Sequence, residues 1–218
     1  MARFKPLAKI EPFWRRWLQQ SLPCMLCQSD TSQYAGLCRH CWQHLPWALT
    51  QIQRQNLTIH IACYYRYPLD GMMLQYKYHQ QLGYASLFAQ LILQLPLPKV
   101  DAIVAMPISD ARLAERGFNQ SLVVVQRLAK VLKCPVWQPI ERIHAHHQKG
   151  LSRSERLADI DQQFRIIKQQ KRWAKRYRRV LVIDDVVTTG ASLWALSQAL
   201  QKMGCSHIEY ACIAGAML

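Results

Sequence analysis

Acidic residues are scarce in this chain. Its 218 residues include 13 Asp and Glu against 28 Lys and Arg, a formal charge of +15. Such an excess repels itself and is costly without a polyanion nearby, so nucleic acid leads the list of partners. Long apolar runs are also missing, and nothing approaches the roughly eighteen residues needed to cross a bilayer. Residues 1–20 are basic and hold Trp14 and Trp17, but they lack the continuous apolar stretch of a secretory signal. They read as a short surface helix, and the expected address is the cytoplasm.

Half of the residues are hydrophobic, enough for one α/β domain of ordinary size and a small appended module. The expected division is 1–56 for an N-terminal helix with a cysteine module and 57–218 for the main domain. Strands are expected at 59–65, 102–106, 136–140, 180–183 and 208–213. Helices are expected at 71–79, 84–95, 119–132 and 191–203, with Gly204 as the stop of the last. The short apolar runs at 102 and 180 read as strands buried on both faces. Strands alternating with helices predict an α/β fold with a mostly parallel sheet and helices on both faces.

The eight cysteines split into two groups. Cys63, Cys134, Cys205 and Cys212 are scattered in apolar surroundings and read as small buried hydrophobes. Cys24-x-x-Cys27 and Cys38-x-x-Cys41 can each put two thiolates on one ion from a tight turn, with a loop between them long enough to close a tetrahedron. Disulfides do not suit a reducing compartment, and a redox motif does not need two such pairs a short loop apart. Structural Zn²⁺ is therefore expected, and it would supply folding energy that so small a module lacks. His40 and His44 stand nearby and read as exposed neighbours.

The sharpest signal is Val180 to Ser192, VLVIDDVVTTGAS. An apolar strand ends in two acids, and a Thr/Gly/Ser turn then leads into a helix. Amides at a helix N-terminus attract phosphate, and a glycine lets the backbone come close. The hydroxyls of Thr188, Thr189 and Ser192 add donors. Asp184 and Asp185 suit two vicinal sugar hydroxyls or a Mg²⁺ ion. No Lys follows the glycine, which excludes a Walker loop.

Further cations accompany it. Lys77, between Tyr76 and Tyr78, either meets phosphate or snorkels from a helix face. Arg112 and Arg116 lie in a loop expected at the carboxyl end of the second strand, where they either hold pyrophosphate or are solvated. Asn119 suits a helix N-cap. His144, His146 and His147 fall in a polar stretch. From 162 to 183 no acid occurs, and Lys171, Lys175 and Arg179 would share one helical stripe, as would Arg172 and Arg176, with Trp173 and Tyr177 a turn apart. Cations neutralise phosphates and aromatic faces stack on unpaired bases, so single-stranded DNA is favoured over a plain charged connector.

The segment 180–192 resembles the phosphoribosyl pyrophosphate (PRPP) loop of type I phosphoribosyltransferases. That resemblance implies that Asp184 and Asp185 take the ribose diol while Thr188, Thr189, Gly190, Ala191 and Ser192 take the 5-phosphate. Over nearly the whole chain there is a narrower resemblance to the ComF family of competence proteins, also called GntX-type DNA-utilisation proteins. Its marks are the four-cysteine ribbon, Leu74 to His79, the run Arg116-Gly-Phe-Asn-Gln120, and Gln148, Leu151, Arg156 and Phe164. Asp159 departs from the asparagine usual there. The resemblance implies a phosphoribosyltransferase-like domain behind a zinc ribbon, acting in DNA uptake on single-stranded DNA and a PRPP-type ligand with Mg²⁺. The implied partners are a DNA-uptake helicase or recombination-loading proteins. The alternatives are an active phosphoribosyltransferase that transfers ribose 5-phosphate to a nitrogen acceptor, with Asp184 and Asp185 catalytic, and a plain interaction module.

Overall fold

The architecture follows from where the apolar strands find partners. The structure, a computed structural model, describes residues 22–143 and 163–216. Expectations for 1–20, for the histidines at 144, 146 and 147, and for 148–159 lie outside the described residues.

In chain order the elements are α1 (Arg39–Gln43), β1 (Trp47–Arg54), β2 (Leu57–Tyr64), α2 (Leu69–Tyr78), α3 (Tyr84–Leu93), β3 (Ala102–Ala105), α4 (Asp110–Arg116), α5 (Gln120–Leu132) and β4 (Ile140–Arg142). They continue with β5 (Phe164–Ile166), a 3-10 turn at Lys168–Gln170, α6 (Lys171–Ala174), β6 (Arg179–Val187), α7 (Ala191–Lys202) and β7 (His207–Gly215). Five strands form one sheet in the order β1-β2-β7-β6-β3. The β2–β7, β7–β6 and β6–β3 pairs are parallel, and only the β1 edge is antiparallel.

Strand β6 sits inside the sheet, and Val180, Leu181, Val182 and Ile183 are all fully buried, as expected for a two-sided core strand. Its alternation divides the core. Leu181 and Ile183 join α2, α3 and α5 through Met73, Phe88, Leu91 and Val125. Val180 and Val182 join Leu193, Leu196 and Leu200 of α7 on the other face, with Trp137 and Ile140. The expected class, a mostly parallel sheet with helices on both faces, is what forms.

Some elements differ from expectation. The strand expected at 136–140 is reduced to a single bridge between Val136 and Ile103, and the extended segment begins at Ile140 and pairs with β5 in a separate hairpin. Pro135 and Pro139 bracket it, and a proline offers no amide to a ladder. Strand β1 was not expected. It makes a hairpin with β2 through Gln55 and Asn56, both with positive φ, as a tight two-residue turn requires. A division of the chain after residue 56 therefore falls within a hairpin of the main sheet. Helix α4 occupies what read as loop. Ser109 caps it, accepting the Arg112 amide, and Gly117 ends it in the left-handed conformation.

The cysteine module is packed on this domain. Cys24, Leu37, Cys38, Cys41, Trp42 and Leu45 belong to the same buried cluster as α2 and α3. The Trp42 ring meets Trp47 of β1 edge-on at 4.9 Å, and the Trp47 indole N–H donates to the Trp42 carbonyl. Of the scattered cysteines, Cys63, Cys205 and Cys212 are buried and Cys134 is half-buried. Burial pushes the Cys63 thiol up from its ordinary value.

Candidate functional site

The acid pair lies where the sheet loses a strand. Strand β3 pairs with β6 only as far as Ile183, and its register ends at Ala105. From Asp184 onward β6 is held on the β7 side, up to Val187 opposite Gly215. The acids therefore sit within β6, four residues before its end, and the freed edge opens them toward α5 and α2.

The two carboxylates face different surroundings. Asp184 lines a pocket of about 60 Å³ together with the residues from Val186 to Leu193. Its Oδ1 accepts the Ser121 hydroxyl at 3.3 Å and the Asp185 amide at 2.8 Å. Burial, then the neighbouring charge of Asp185, raise its carboxyl to about 7, against the opposing hydrogen bonds and Lys77. Asp185 is buried. Its Oδ2 pairs with Lys77 Nζ at 2.8 Å, and its Oδ1 accepts the Val186 amide at 2.6 Å. Lys77 thus neither snorkels nor stands free; it reaches across from α2 to the acid pair.

The turn after β6 has the shape a phosphate needs. Gly190 has φ +79° and leads directly into α7. Among the described residues no chain carbonyl takes the amides of Thr188, Thr189 or Gly190, whereas the Ala191 amide meets Thr189 Oγ1 at 3.4 Å. Arg54, at the end of β1, lies against this loop. Its Nε donates to the Thr188 carbonyl at 3.1 Å and its Nη2 to that of Ala216 at 3.3 Å. Sequence reasoning missed Arg54, since the contact spans the chain from β1 to β6.

The flanking cations divide. Arg112 is exposed on α4. Arg116 is buried at the end of that helix, with its guanidinium over the Tyr78 ring at 5.0 Å and Nη2 donating to the Tyr78 hydroxyl at 3.1 Å. It is not a solvated loop residue. Asn119 caps α5 as expected, taking the Leu122 amide, and its Nδ2 also donates to the Met106 carbonyl. Arg142 was not anticipated. Burial, then the like charge of Arg112, depress its guanidinium, and Asp184 opposes them, so all three share one field.

The cysteines meet. The sulfurs of Cys24, Cys27, Cys38 and Cys41 lie within 4.8 Å of one another. Cys27 and Cys38 are 3.8 Å apart, close to the ~3.8 Å edge of a tetrahedron with zinc–sulfur bonds of ~2.3 Å. The Cys41 amide points at Cys38 Sγ and the Leu26 amide at Cys24 Sγ, as suits thiolates. An all-sulfur set of this size fits zinc and leaves no open position.

The basic stretch is arranged otherwise than expected. Helix α6 ends at Ala174, so Lys171, Lys175 and Arg179 share no helical stripe. Arg179 opens β6, and its guanidinium pairs with Asp101 at 2.8 Å, holding that carboxyl below the usual carboxylate range. Trp173 and Tyr177 stack on each other at 6.0 Å, Tyr177 also meets Trp137, and Arg172 and Arg176 lie over these rings.

Comparison with known proteins now decides the family. The DNA utilization protein YhgH of Salmonella typhi is 32% identical over 165 residues, covering 68% of either chain. This chain belongs to the ComF family of competence and DNA-utilisation proteins. Competence protein F of Haemophilus influenzae is 29% identical over 198 residues, 85% of this chain and 81% of that protein. Competence protein ComFC of Streptococcus pneumoniae is 28% identical over 144 residues, 66% of this chain and 58% of that one. No family model matches the chain. Among solved structures, a purine phosphoribosyltransferase from Pyrococcus horikoshii aligns over 70% of this chain and 76% of its own, with 18% identity and a TM-score of 0.31. Among the described residues of this ComF-family chain, no helix is long and apolar enough to cross a membrane.

Proposed function

We propose that this protein acts in DNA uptake and utilisation in the cytoplasm, binding a PRPP-type ligand at the β6–α7 loop and single-stranded DNA on its positive surface. One observation carries the reading: amides of Thr188 to Gly190 without chain partners among the described residues, on the same pocket as the Asp184 carboxylate. A 5-phosphate would lie on Thr188, Thr189, Gly190, Ala191 and Ser192, with its ribose hydroxyls toward Asp184. Asp185 would act through its pair with Lys77. Arg112, Arg116 and Lys77 would meet the pyrophosphate, with Mg²⁺ as its counter-ion. The four cysteines would hold structural Zn²⁺. Relatives named for competence and DNA utilisation support the setting, and helicase or recombination-loading partners fit it.

The test is a thermal-shift titration with PRPP and Mg²⁺. A rise of a few degrees is expected at ligand well above its dissociation constant, and it should be lost in Asp184→Asn with Asp185→Asn. No rise in the wild type refutes the ligand. Pyrophosphate release across a panel of nitrogen bases then separates a phosphoribosyltransferase from a binding protein. Salt-dependent titration with single-stranded DNA tests the second ligand.

A further inference from the structure

Helix α2 is amphipathic in an unusual way. Its inner face, Leu69, Met72, Met73 and Tyr76, is fully buried against the sheet. Its outer face is not the charged surface such a helix normally shows to water. Tyr67, just before the helix, is 82% exposed, Leu74 is 50% exposed and Tyr78 is 51% exposed. Together with Gly71 these positions follow the 4, 3, 4 spacing of one helical stripe. A Cβ on Gly71 would meet nothing within 4 Å, so the middle of the stripe is a bare shelf.

Cations border this stripe at both ends. Arg66 adjoins Tyr67, and its guanidinium rests over the Tyr64 ring at 5.8 Å. At the other end Arg116 lies against Tyr78, and Lys77 leads from the stripe to Asp185. The one acid in the helix, Asp70, turns an oxygen to the Gly71 amide at 2.7 Å.

We propose that this stripe, Tyr67–Gly71–Leu74–Tyr78, is the surface along which single-stranded DNA lies, with unpaired bases stacked on the tyrosines and phosphates on Arg66, Lys77 and Arg116. The proposal rests on the DNA-handling reading above and assigns it a place. Three observations choose nucleic acid as the occupant. The chain carries +15, so an anionic partner is complementary. The exposed rings are spaced with cations between them, the arrangement that sequence-tolerant single-strand binders use. The other aromatic-basic segment has its faces taken, because Trp173, Tyr177 and Trp137 pack on one another with Arg172 and Arg176 above. Tyr67 to Tyr78 spans ~16 Å along a helix, which matches roughly four stacked nucleotides. The strand would run toward Lys77, and so toward the phosphate loop.

Fluorescence anisotropy with a labelled oligothymidine at fixed low salt tests this on the full chain. Tyr67→Ala and Tyr78→Ala are each expected to weaken binding roughly tenfold, with unchanged thermal midpoints because both rings are exposed. Tyr67→Phe keeps the stacking face and should bind like wild type. Tyr67→Leu keeps apolar area without a π face and should bind like Tyr67→Ala; binding like wild type instead would point to an apolar protein partner and overturn the proposal. Lys171→Ala with Lys175→Ala should leave affinity nearly unchanged. If the wild type binds and the tyrosine variants bind equally well, the surface is wrong while DNA handling stands. If the wild type does not bind at low salt, both fall, and PRPP binding is judged separately by thermal shift.

Discussion

Gly190 and Arg54 are fitted to one another: a Cβ built on Gly190 would stand 2.7 Å from the Arg54 Cβ, with the Arg54 carbonyl carbon and oxygen at 3.6 Å. The antiparallel hairpin at the sheet edge therefore clasps the loop that follows β6, more than a hundred residues away in sequence. The φ of +79° at Gly190 adds a second reason for glycine there. Gly190→Ala must push the hairpin off the loop as well as strain the backbone. We expect a stability loss of about 1–3 kcal/mol and no thermal shift with PRPP. Arg54→Ala leaves the glycine in place but frees the Thr188 and Ala216 carbonyls, so it should weaken the ligand shift with a smaller loss of stability. Denaturant midpoints with and without ligand check both.

Asp184 makes the site pH-dependent. Its carboxyl is raised to about 7, first by burial and then by Asp185. A carboxyl with a raised folded pKa favours the native state when protonated. Its contribution is full below the ordinary carboxylate range near pH 4 and is lost as pH rises through 7. Asp184→Asn should therefore raise the thermal midpoint at pH 8 and change it little at pH 4. Ligand binding runs the other way, because only the ionised carboxylate accepts from both hydroxyls. Affinity for PRPP should rise from pH 6 to pH 8 in the wild type and stay flatter in Asp184→Asn, as calorimetric titrations at both pH values would show.

Removing metal from the cysteine cluster should reach the main domain. Cys24, Cys38 and Cys41 lie in one buried cluster with Tyr84 and Phe88 of α3 and Trp42, which meets Trp47 of β1. A strong chelator, or Cys38→Ser, is expected to lower the thermal midpoint of the whole protein and not only to melt a separate small module. Metal analysis should find one zinc per chain before chelation. A full-length chain that lacks zinc yet melts at the same temperature contradicts this.

Much of this arrangement was legible because it rests on local chemistry. A buried apolar run followed by two acids and a Thr-Gly turn states its own geometry, and paired cysteines at close spacing state theirs. What stayed hidden depends on tertiary neighbours. Nothing near Arg54 signals Thr188, and nothing near Arg142 signals Asp184. Ser121 reads as an ordinary first-turn residue until α5 brings it 3.3 Å from Asp184. The β1 strand escaped notice because its signal, a Gln55–Asn56 turn between alternating runs, is weaker than the Asn-Gly pair that marks such hairpins. The helical stripe expected for Lys171, Lys175 and Arg179 failed for a related reason. Periodicity places residues on a common face only while the helix lasts, and β6 begins at Arg179.

The Lys77–Asp185 pair explains how the site holds together without ligand, and it gives a last expectation. At 2.8 Å, with side-chain exposures of 17% and 9%, the pair is largely out of water. Such a pair adds little net stability over an apolar replacement, but removing one partner strands the other as a buried charge, at a cost of about 3–5 kcal/mol. Lys77→Met leaves the Asp185 carboxylate beside Asp184 with no counter-charge and should destabilise strongly. Asp185→Asn leaves Lys77 facing the raised carboxyl of Asp184, which can take over part of the pairing, so its loss should be smaller. The double variant should recover much of the Lys77→Met loss, and the sign of that coupling in a double-mutant cycle is the readout. A phosphorylated ligand competes with Asp185 for the same ammonium. Lys77→Met should therefore lose PRPP binding in the double variant as well, where stability has returned. Recovery of stability without recovery of the ligand shift separates the lysine's role toward phosphate from its role in the fold.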